Sequence, residues 1–97
     1  MDKVRRYSSF IKRIVTASAH IRARLLKSSN LEIITAIAEI IYNIIHLNIE
    51  VPAATLTKLK KFKKIFHRLV AAKKAEARKK ILLANPNCLP PLSVLFK

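Results

Sequence analysis

The sequence predicts an all-α protein, a compact bundle of three or four helices with basic outer faces and an apolar, proline-containing C-terminal tail. Apolar residues recur three and four positions apart over long stretches, which is the spacing of one helix face. None of the 97 residues is glycine, which disfavours sheets rich in tight hairpins. Hydrophobic residues make up 52% of the chain, too many for a disordered basic tail. Residues 1–84 are predicted to form the helical basic domain and residues 85–97 the tail.

The first predicted helix runs from about Ser9 to Leu26, and Ser8 or Ser9 is expected to cap it. Its apolar stripe consists of Phe10, Ile11, Ile14, Val15, Ile21 and Leu25. The basic residues Lys12, Arg13, Arg22 and Arg24 flank that stripe. This pattern predicts an amphipathic helix with a basic outer face.

The second predicted helix is the most apolar part of the chain. Ser29 and Glu32 have the spacing of a capping box. The apolar residues that follow are Ile33, Ile34, Ile37, Ile40, Ile41, Ile44, Ile45 and Leu47. The polar residues form one narrow stripe of helical period: Glu32, Thr35, Glu39, Asn43 and His46. A helix that is apolar nearly all round is usually buried, so we expect it at the centre of the bundle.

A membrane-spanning helix is the alternative for this segment, which approaches the required length of about 20 residues. However, Glu39, Asn43 and His46 lie in its middle, where each polar group is costly in lipid. The burial of this helix within the protein is therefore favoured.

A loop over residues 48–55 contains Val51-Pro52 and precedes a third helix over residues 55–72. The apolar face of that helix consists of Leu56, Leu59, Phe62, Phe66, Leu69 and Val70. Residues 73–84 are rich in Ala and Lys, and they either continue this helix or form a short fourth one. Asn85-Pro86 is expected to end the helical region, and the proline pair Pro90-Pro91 prevents a regular helix in the tail.

Positive charge is the strongest functional signal. The 20 Lys and Arg residues face 5 Asp and Glu, which gives a net charge of +15. A charge of this size opposes compaction, and a polyanionic partner would relieve the repulsion. The predicted nucleic-acid-binding residues are Lys12, Arg13, Lys58, Lys60, Lys61, Lys63, Lys64, Arg68, Lys73, Lys74, Arg78, Lys79 and Lys80. Because lysine dominates this set, we expect contacts to the phosphate backbone without base reading. A merely solvated helix face is the alternative.

Other functional classes receive little support. No catalytic residues, metal site or cofactor are predicted, because the only Asp is Asp2 and the three His residues are scattered. Core packing is a better interpretation of Phe62 and Phe66 than stacking on nucleic-acid bases, because both residues lie on the apolar stripe. Glu32 and Glu39 are expected to be a solvated polar stripe or ion-pair partners, since seven residues separate them. A DNA-binding helix-turn-helix motif is not favoured, because the connection between the second and third predicted helices is longer than the usual short turn.

The tail carries a second candidate site. Its apolar residues Leu89, Leu92, Val94, Leu95 and Phe96 are predicted either to fold back over the bundle or to dock on a partner. That partner would be a capsid protein or a second copy of this chain.

From residue 28 onward the order of features resembles small basic proteins of Maverick/Polinton elements and of adintovirus-like and adomavirus-like DNA viruses. The matching pieces are the isoleucine-rich segment 29–48, the lysine-rich segment 55–69, the second basic cluster 73–83 and the apolar segment 88–96. The resemblance implies a minor virion or core component that binds DNA. It is a likeness of composition and order over about 70 residues, without a catalytic motif.

The expected function is therefore charge-driven, sequence-independent binding or condensation of DNA in a virion or a host nucleus. The alternatives are a structural protein that docks on a capsid and an amphipathic helical protein that binds anionic membranes. Residues 1–30 also have the basic, serine-containing character of a mitochondrial presequence, which makes mitochondria the alternative location.

Overall fold

Seven α-helices and two 3₁₀ segments make up the part of the chain that the computed structural model describes, residues 2–46 and 50–96, and this part contains no β-strand. The helices are α1 (Asp2–Arg6), α2 (Ser8–Thr16), α3 (Ala19–Ser28), α4 (Leu31–Ile45), α5 (Ala53–Lys60), α6 (Lys63–Ala71) and α7 (Ala75–Ala84). The 3₁₀ segments are Pro86–Cys88 and Pro90–Phe96. The predicted all-α class is confirmed, although the helices are shorter and more numerous than expected.

The isoleucine-rich helix α4 is the centre of the structure, as predicted. Its side chains Ile34, Ile37 and Ile41 are almost completely buried, and the helix contacts α1, α6 and α7. Its buried residues are Ile33, Ile34, Ala36, Ile37, Ala38, Ile40, Ile41 and Ile44. Leu47, which the sequence predicts to belong to the same apolar set, lies outside the described residues.

The start of α4 differs from the predicted capping box. Asn30 is the N-cap, and its side-chain oxygen accepts a hydrogen bond from the Ile33 amide at 2.9 Å. Ser29 instead donates to the Leu25 carbonyl at the end of α3, at 2.7 Å. Glu32 accepts a hydrogen bond from the Tyr7 hydroxyl, which ties α4 to the junction of α1 and α2. The serine and the glutamate therefore serve two neighbouring elements and do not cap each other.

The single helix predicted over residues 9–26 is wrong, because the chain breaks at Ala17 and Ser18. Both residues have extended backbone conformations, and α3 begins with the Ser18 carbonyl accepting from the Arg22 amide at 2.8 Å. The cap predicted at Ser8 or Ser9 is also wrong, because Tyr7 precedes α2 and makes no side-chain capping bond. The break turns Ile21 out of the apolar stripe, and its side chain is 49% exposed.

The helix predicted over residues 55–72 is likewise two helices. α5 begins earlier, at Ala53, and a short turn at Lys61 and Phe62 separates it from α6. That turn is closed by hydrogen bonds between residues three apart, such as Phe62 N–H to the Leu59 carbonyl at 3.0 Å. Like charges three and four positions apart weaken an α-helix, which is consistent with a break inside the lysine run. The open question about residues 73–84 is answered, since α7 is a separate helix that ends before Asn85-Pro86 as expected.

The tail folds back onto the helices. Its second 3₁₀ segment contacts α2 and α5, and its first contacts α3 and α7. Cys88, Leu89 and Leu92 are at most 1% exposed and belong to the same core as Ile11 and Ile37. The radius of gyration of 12.0 Å is close to the value of about 13 Å expected for a compact domain of this size.

Within the described ranges, no helix is both long enough and apolar enough to cross a membrane.

Candidate functional site

Eleven of the thirteen basic residues predicted to bind nucleic acid have exposed side chains. They are Lys12, Arg13, Lys58, Lys60, Lys61, Lys63, Lys64, Arg68, Lys73, Lys74 and Lys80. Lys58 and Lys60 lie in the last turn of α5, and Lys63 and Lys64 begin α6 directly after the turn. The break therefore concentrates five lysines of the run 58–64 around one helix junction.

Very little negative charge opposes these residues. The described part of the chain contains one ion pair, between Arg6 and Glu32 at 3.8 Å, with both side chains largely exposed. That pair involves none of the thirteen predicted residues. An exposed pair of this kind contributes little to stability. Among residues 2–46 and 50–96, no carboxylate pairs with the lysine run.

Lys79 has a structural role that its position in the basic run did not indicate. Its ammonium donates to the Lys27 carbonyl at 2.9 Å and to the Ser29 carbonyl at 2.7 Å. These carbonyls lie at the C-terminal end of α3, where backbone oxygens lack partners within the helix. Lys79 is only partly exposed and holds α7 against α3, so it is less available to a ligand than its neighbour Lys80.

Arg78 is also partly buried, and its Nε donates to the Ala72 carbonyl at 3.0 Å, just after the end of α6. It therefore stabilises the turn between α6 and α7. Arg78 and Lys79 do not belong with the freely exposed cations, because each is committed to a backbone carbonyl.

Arg22 is the third basic residue that donates hydrogen bonds to backbone carbonyls. The sequence predicts it beside the apolar stripe of the first helix, on the basic outer face. Its side chain is only 6% exposed. Nε donates to the Ile14 carbonyl at 3.0 Å, and Nη2 donates to the Ala17 carbonyl. Burial lowers the pKa of the Arg22 guanidinium, while the nearby Cys88 thiol acts in the opposite direction. The sequence did not indicate this role, because neither glycine nor proline marks the break at Ala17 and Ser18 that leaves these carbonyls free.

Arg22, Arg78 and Lys79 bind carbonyls at the ends of helices, a role that glycine often has in other proteins. Helices often end with a glycine in the left-handed conformation, whose amide binds the last carbonyls. Here the C-cap residues that directly follow α2, α3 and α6 are Ala17, Ser29 and Ala72, which all have extended backbone conformations. Positive side chains near a helix C-terminus bind the free carbonyls and favour the negative end of the helix dipole.

The two phenylalanines of the basic run belong to the core region. Phe66 is buried, and its ring centroid lies 6.3 Å from that of the half-buried Phe62, so both pack in or against the core as predicted. Among residues 2–46 and 50–96, no group of three or more His, Cys, Asp or Glu side chains is placed to hold a metal ion.

The two glutamates of α4 have different surroundings. Glu32 is exposed and accepts a hydrogen bond from the Tyr7 hydroxyl, whereas Glu39 Oε2 is buried and has no hydrogen-bond partner within the described part of the chain. Glu39 and Arg78 line the same cavity, of about 240 Å³, but their charged groups are not within ion-pair distance. The two carboxylates do not act together. Glu32 is exposed and pairs with Arg6, as one of the two predicted outcomes, whereas Glu39 is half-buried beside the cavity that it shares with Arg78.

The predicted docking residues of the tail are divided between core and surface. Leu89 and Leu92 are completely buried against this chain's own helices, so they are not accessible to a partner. Val94, Leu95 and Phe96 are half-buried. Burial raises the pKa of the neighbouring Cys88 thiol to about 12, which makes that cysteine an inert core residue.

No protein-family model, curated protein or solved structure matches the chain.

Proposed function

We propose that the protein binds the phosphate backbone of a nucleic acid through charge, without sequence preference, and that DNA is its partner. The observation that supports this most strongly is the set of eleven exposed basic side chains, none of which has a carboxylate partner within the described residues. A solvated helix face usually mixes both signs of charge. A surface with so little negative charge gains free energy when a polyanion replaces its counterions.

The lysine-rich junction of α5 and α6 is the proposed centre of this interaction. Lys60, Lys61, Lys63 and Lys64 are all exposed, while Leu59 and Phe66 of the same helices point into the core. The lysines can therefore be changed without disturbing packing. Lysine binds phosphate as a point charge and lacks the planar fork that reads guanine, which fits backbone contacts.

DNA is preferred to the alternatives for two reasons. The resemblance of residues 28–97 to basic proteins of DNA elements implies DNA, a virion core role and a virion or nuclear location. Docking of the tail on a capsid is less favoured, because Leu89 and Leu92 are used in the protein's own core.

The salt dependence of binding tests the proposal. Contacts to about five phosphates give a log–log slope of roughly −4 to −5 on duplex DNA. Replacing Lys60, Lys61, Lys63 and Lys64 with Gln should weaken binding to every duplex sequence alike and flatten the slope by about one per lost contact. The matched control replaces the same four residues with Arg, which keeps the charge and should keep the slope.

Circular dichroism of both variants establishes that the fold is retained. Binding that does not depend on salt, or no binding at low salt by the folded protein, contradicts the proposal. Loss of discrimination at particular bases would indicate a sequence-specific reader. Association with anionic vesicles that survives the Gln changes would indicate a membrane-binding protein whose apolar surface supplies the affinity.

A further inference from the structure

A small apolar groove opens between the end of α4 and the helices α5 and α6. Ile44, Leu59 and Phe66, each no more than 7% exposed, lie at its base. Leu56 lies at its edge with 36% of its surface exposed. The groove has a volume of about 170 Å³. Among the described residues, the side chains that line the groove are apolar apart from Lys60, Lys63 and His67 at the rim.

Two of the rim residues are lysines. Lys60 and Lys63 line the groove with exposed side chains, and His67 lies beside them. No carboxylate lines the groove, and neither lysine forms an ion pair within residues 2–46 and 50–96. An apolar depression with unopposed positive charge along one side of its rim is complementary to a bulky apolar group flanked by negative charge.

We propose that this groove binds an acidic segment of a partner protein through one bulky apolar side chain, with flanking carboxylates on Lys60 and Lys63. The volume supports a single anchor, since an apolar cavity of about 150 Å³ accommodates one benzene ring. A nucleobase fits the lining poorly, because its polar edges would be buried without partners. A long acyl chain exceeds the space. This interaction goes beyond the proposed nucleic-acid binding and shares Lys60 and Lys63 with it.

Most of the binding free energy is expected to come from the single apolar side chain that enters the groove. One apolar side chain that fills a desolvated pocket contributes more affinity than the charged contacts around it. The rim charges mainly accelerate association and select an acidic partner. Affinity should therefore depend on the groove and on the lysines in different ways, which separate variants can distinguish.

The test uses the full chain and a short fluorescent peptide of alternating Asp and Glu with a single central Leu. A second peptide carries Ala in place of that Leu. We expect the Leu peptide to bind about tenfold more tightly, because burial of its side chain adds roughly 1.4 kcal/mol or more. Fluorescence anisotropy at fixed salt measures both affinities.

Matched variants locate the site. Leu56→Gln changes the groove edge, and Leu83→Gln changes a leucine of similar exposure (39%) on α7, outside the groove. We expect Leu56→Gln to remove most of the preference for the Leu peptide and Leu83→Gln to leave it intact. Lys60→Gln with Lys63→Gln should weaken both peptides, and more strongly than Lys73→Gln with Lys74→Gln.

Equal affinity for the Leu and Ala peptides overturns the proposal. So does an equal effect of Leu56→Gln and Leu83→Gln. Association with anionic phospholipid vesicles that Leu56→Gln abolishes, without peptide binding, would assign the groove to lipid and also overturn it. Because Leu56→Gln and Leu83→Gln retain every lysine, the comparison between these two variants is independent of whether the protein binds DNA.

Discussion

Arg22 provides the sharpest test of how this glycine-free chain ends its helices. Its guanidinium is buried and binds two carbonyls, those of Ile14 and Ala17, at the end of α2. Replacing Arg22 with Ala removes both donors and leaves these oxygens without their partners. A hydrogen bond to a charged group contributes about 1.5–3 kcal/mol, so two such bonds contribute about 3–6 kcal/mol. The free-energy cost of burying the guanidinium offsets part of this, and a net loss of about 3 kcal/mol is expected.

That loss is large for a domain of this size. Total unfolding free energies are about 5–15 kcal/mol, and a loss of 1 kcal/mol lowers the Tm of a domain of 60–100 residues by roughly 4–8 °C. We therefore expect Arg22→Ala to lower the Tm by roughly 12–24 °C, as measured by far-UV circular dichroism. Arg22→Met, which keeps the apolar stem but not the donors, should fall between Arg22→Ala and the wild type.

Arg24 is the matched control, because it lies on the same helix with an exposed side chain. Arg24→Ala should change stability by no more than about 0.5 kcal/mol. If Arg22→Ala and Arg24→Ala unfold at the same temperature, the capping role is refuted and the break between α2 and α3 has another cause.

Three further predictions separate structural from exposed groups. Lys79→Gln should lower the urea midpoint by an amount equivalent to about 1–3 kcal/mol, while the exposed Lys80→Gln should leave it unchanged; equal midpoints would contradict the α3–α7 contact. Deleting residues 88–97 removes two fully buried leucines, worth about 3–6 kcal/mol, and should largely unfold the chain; retained helicity and midpoint would contradict a tail packed in the core. Cys88 should resist thiol reagents at neutral pH until the protein is denatured. Because its folded pKa, about 12, exceeds the ordinary 9.0, its contribution to stability should be complete below pH 9.0 and decline towards pH 12, a decline absent from Cys88→Ala.

The sequence was sufficient to predict α4. Its apolar residues keep the helical period over the whole of Leu31–Ile45. The burial of so many isoleucines outweighs the preference of single isoleucines for β-strands. The end of α7 before Asn85-Pro86 also follows from local chemistry, because proline restricts the residue before it. Signals of this kind depend on neighbours in the chain and can be read without knowledge of the fold.

The breaks within the two predicted long helices could not be read in this way. Neither glycine nor proline marks the break at Ala17 and Ser18, and an uninterrupted apolar pattern continues through Phe62. The first break is stabilised by Arg22, which reaches back from the next helix. The end of α3 depends on Lys79, fifty residues away from Ser29 in the chain. Such contacts exist only once the helices have packed.

The basic site illustrates the same limit. Lys79 and Lys80 are adjacent and chemically identical, so composition assigns both to the ligand-binding set. Their different directions on α7 leave Lys80 exposed and place the Lys79 ammonium on two carbonyls. The aliphatic part of a lysine side chain can pack on apolar surface while its ammonium donates to a backbone carbonyl. Which of the two lysines does so depends on how α7 packs against α3.

Absence of glycine and excess of positive charge are therefore connected in this protein. Without glycine to end its helices, the chain uses Arg22, Arg78 and Lys79 to bind carbonyls at helix ends, so the net charge of +15 overstates the charge available to a ligand. Salt affects the two groups of cations differently. Partly buried cations bound to the backbone are screened weakly, whereas contacts between exposed lysines and phosphate are weakened steeply through counterion release. A salt concentration that releases bound DNA should consequently leave the fold intact.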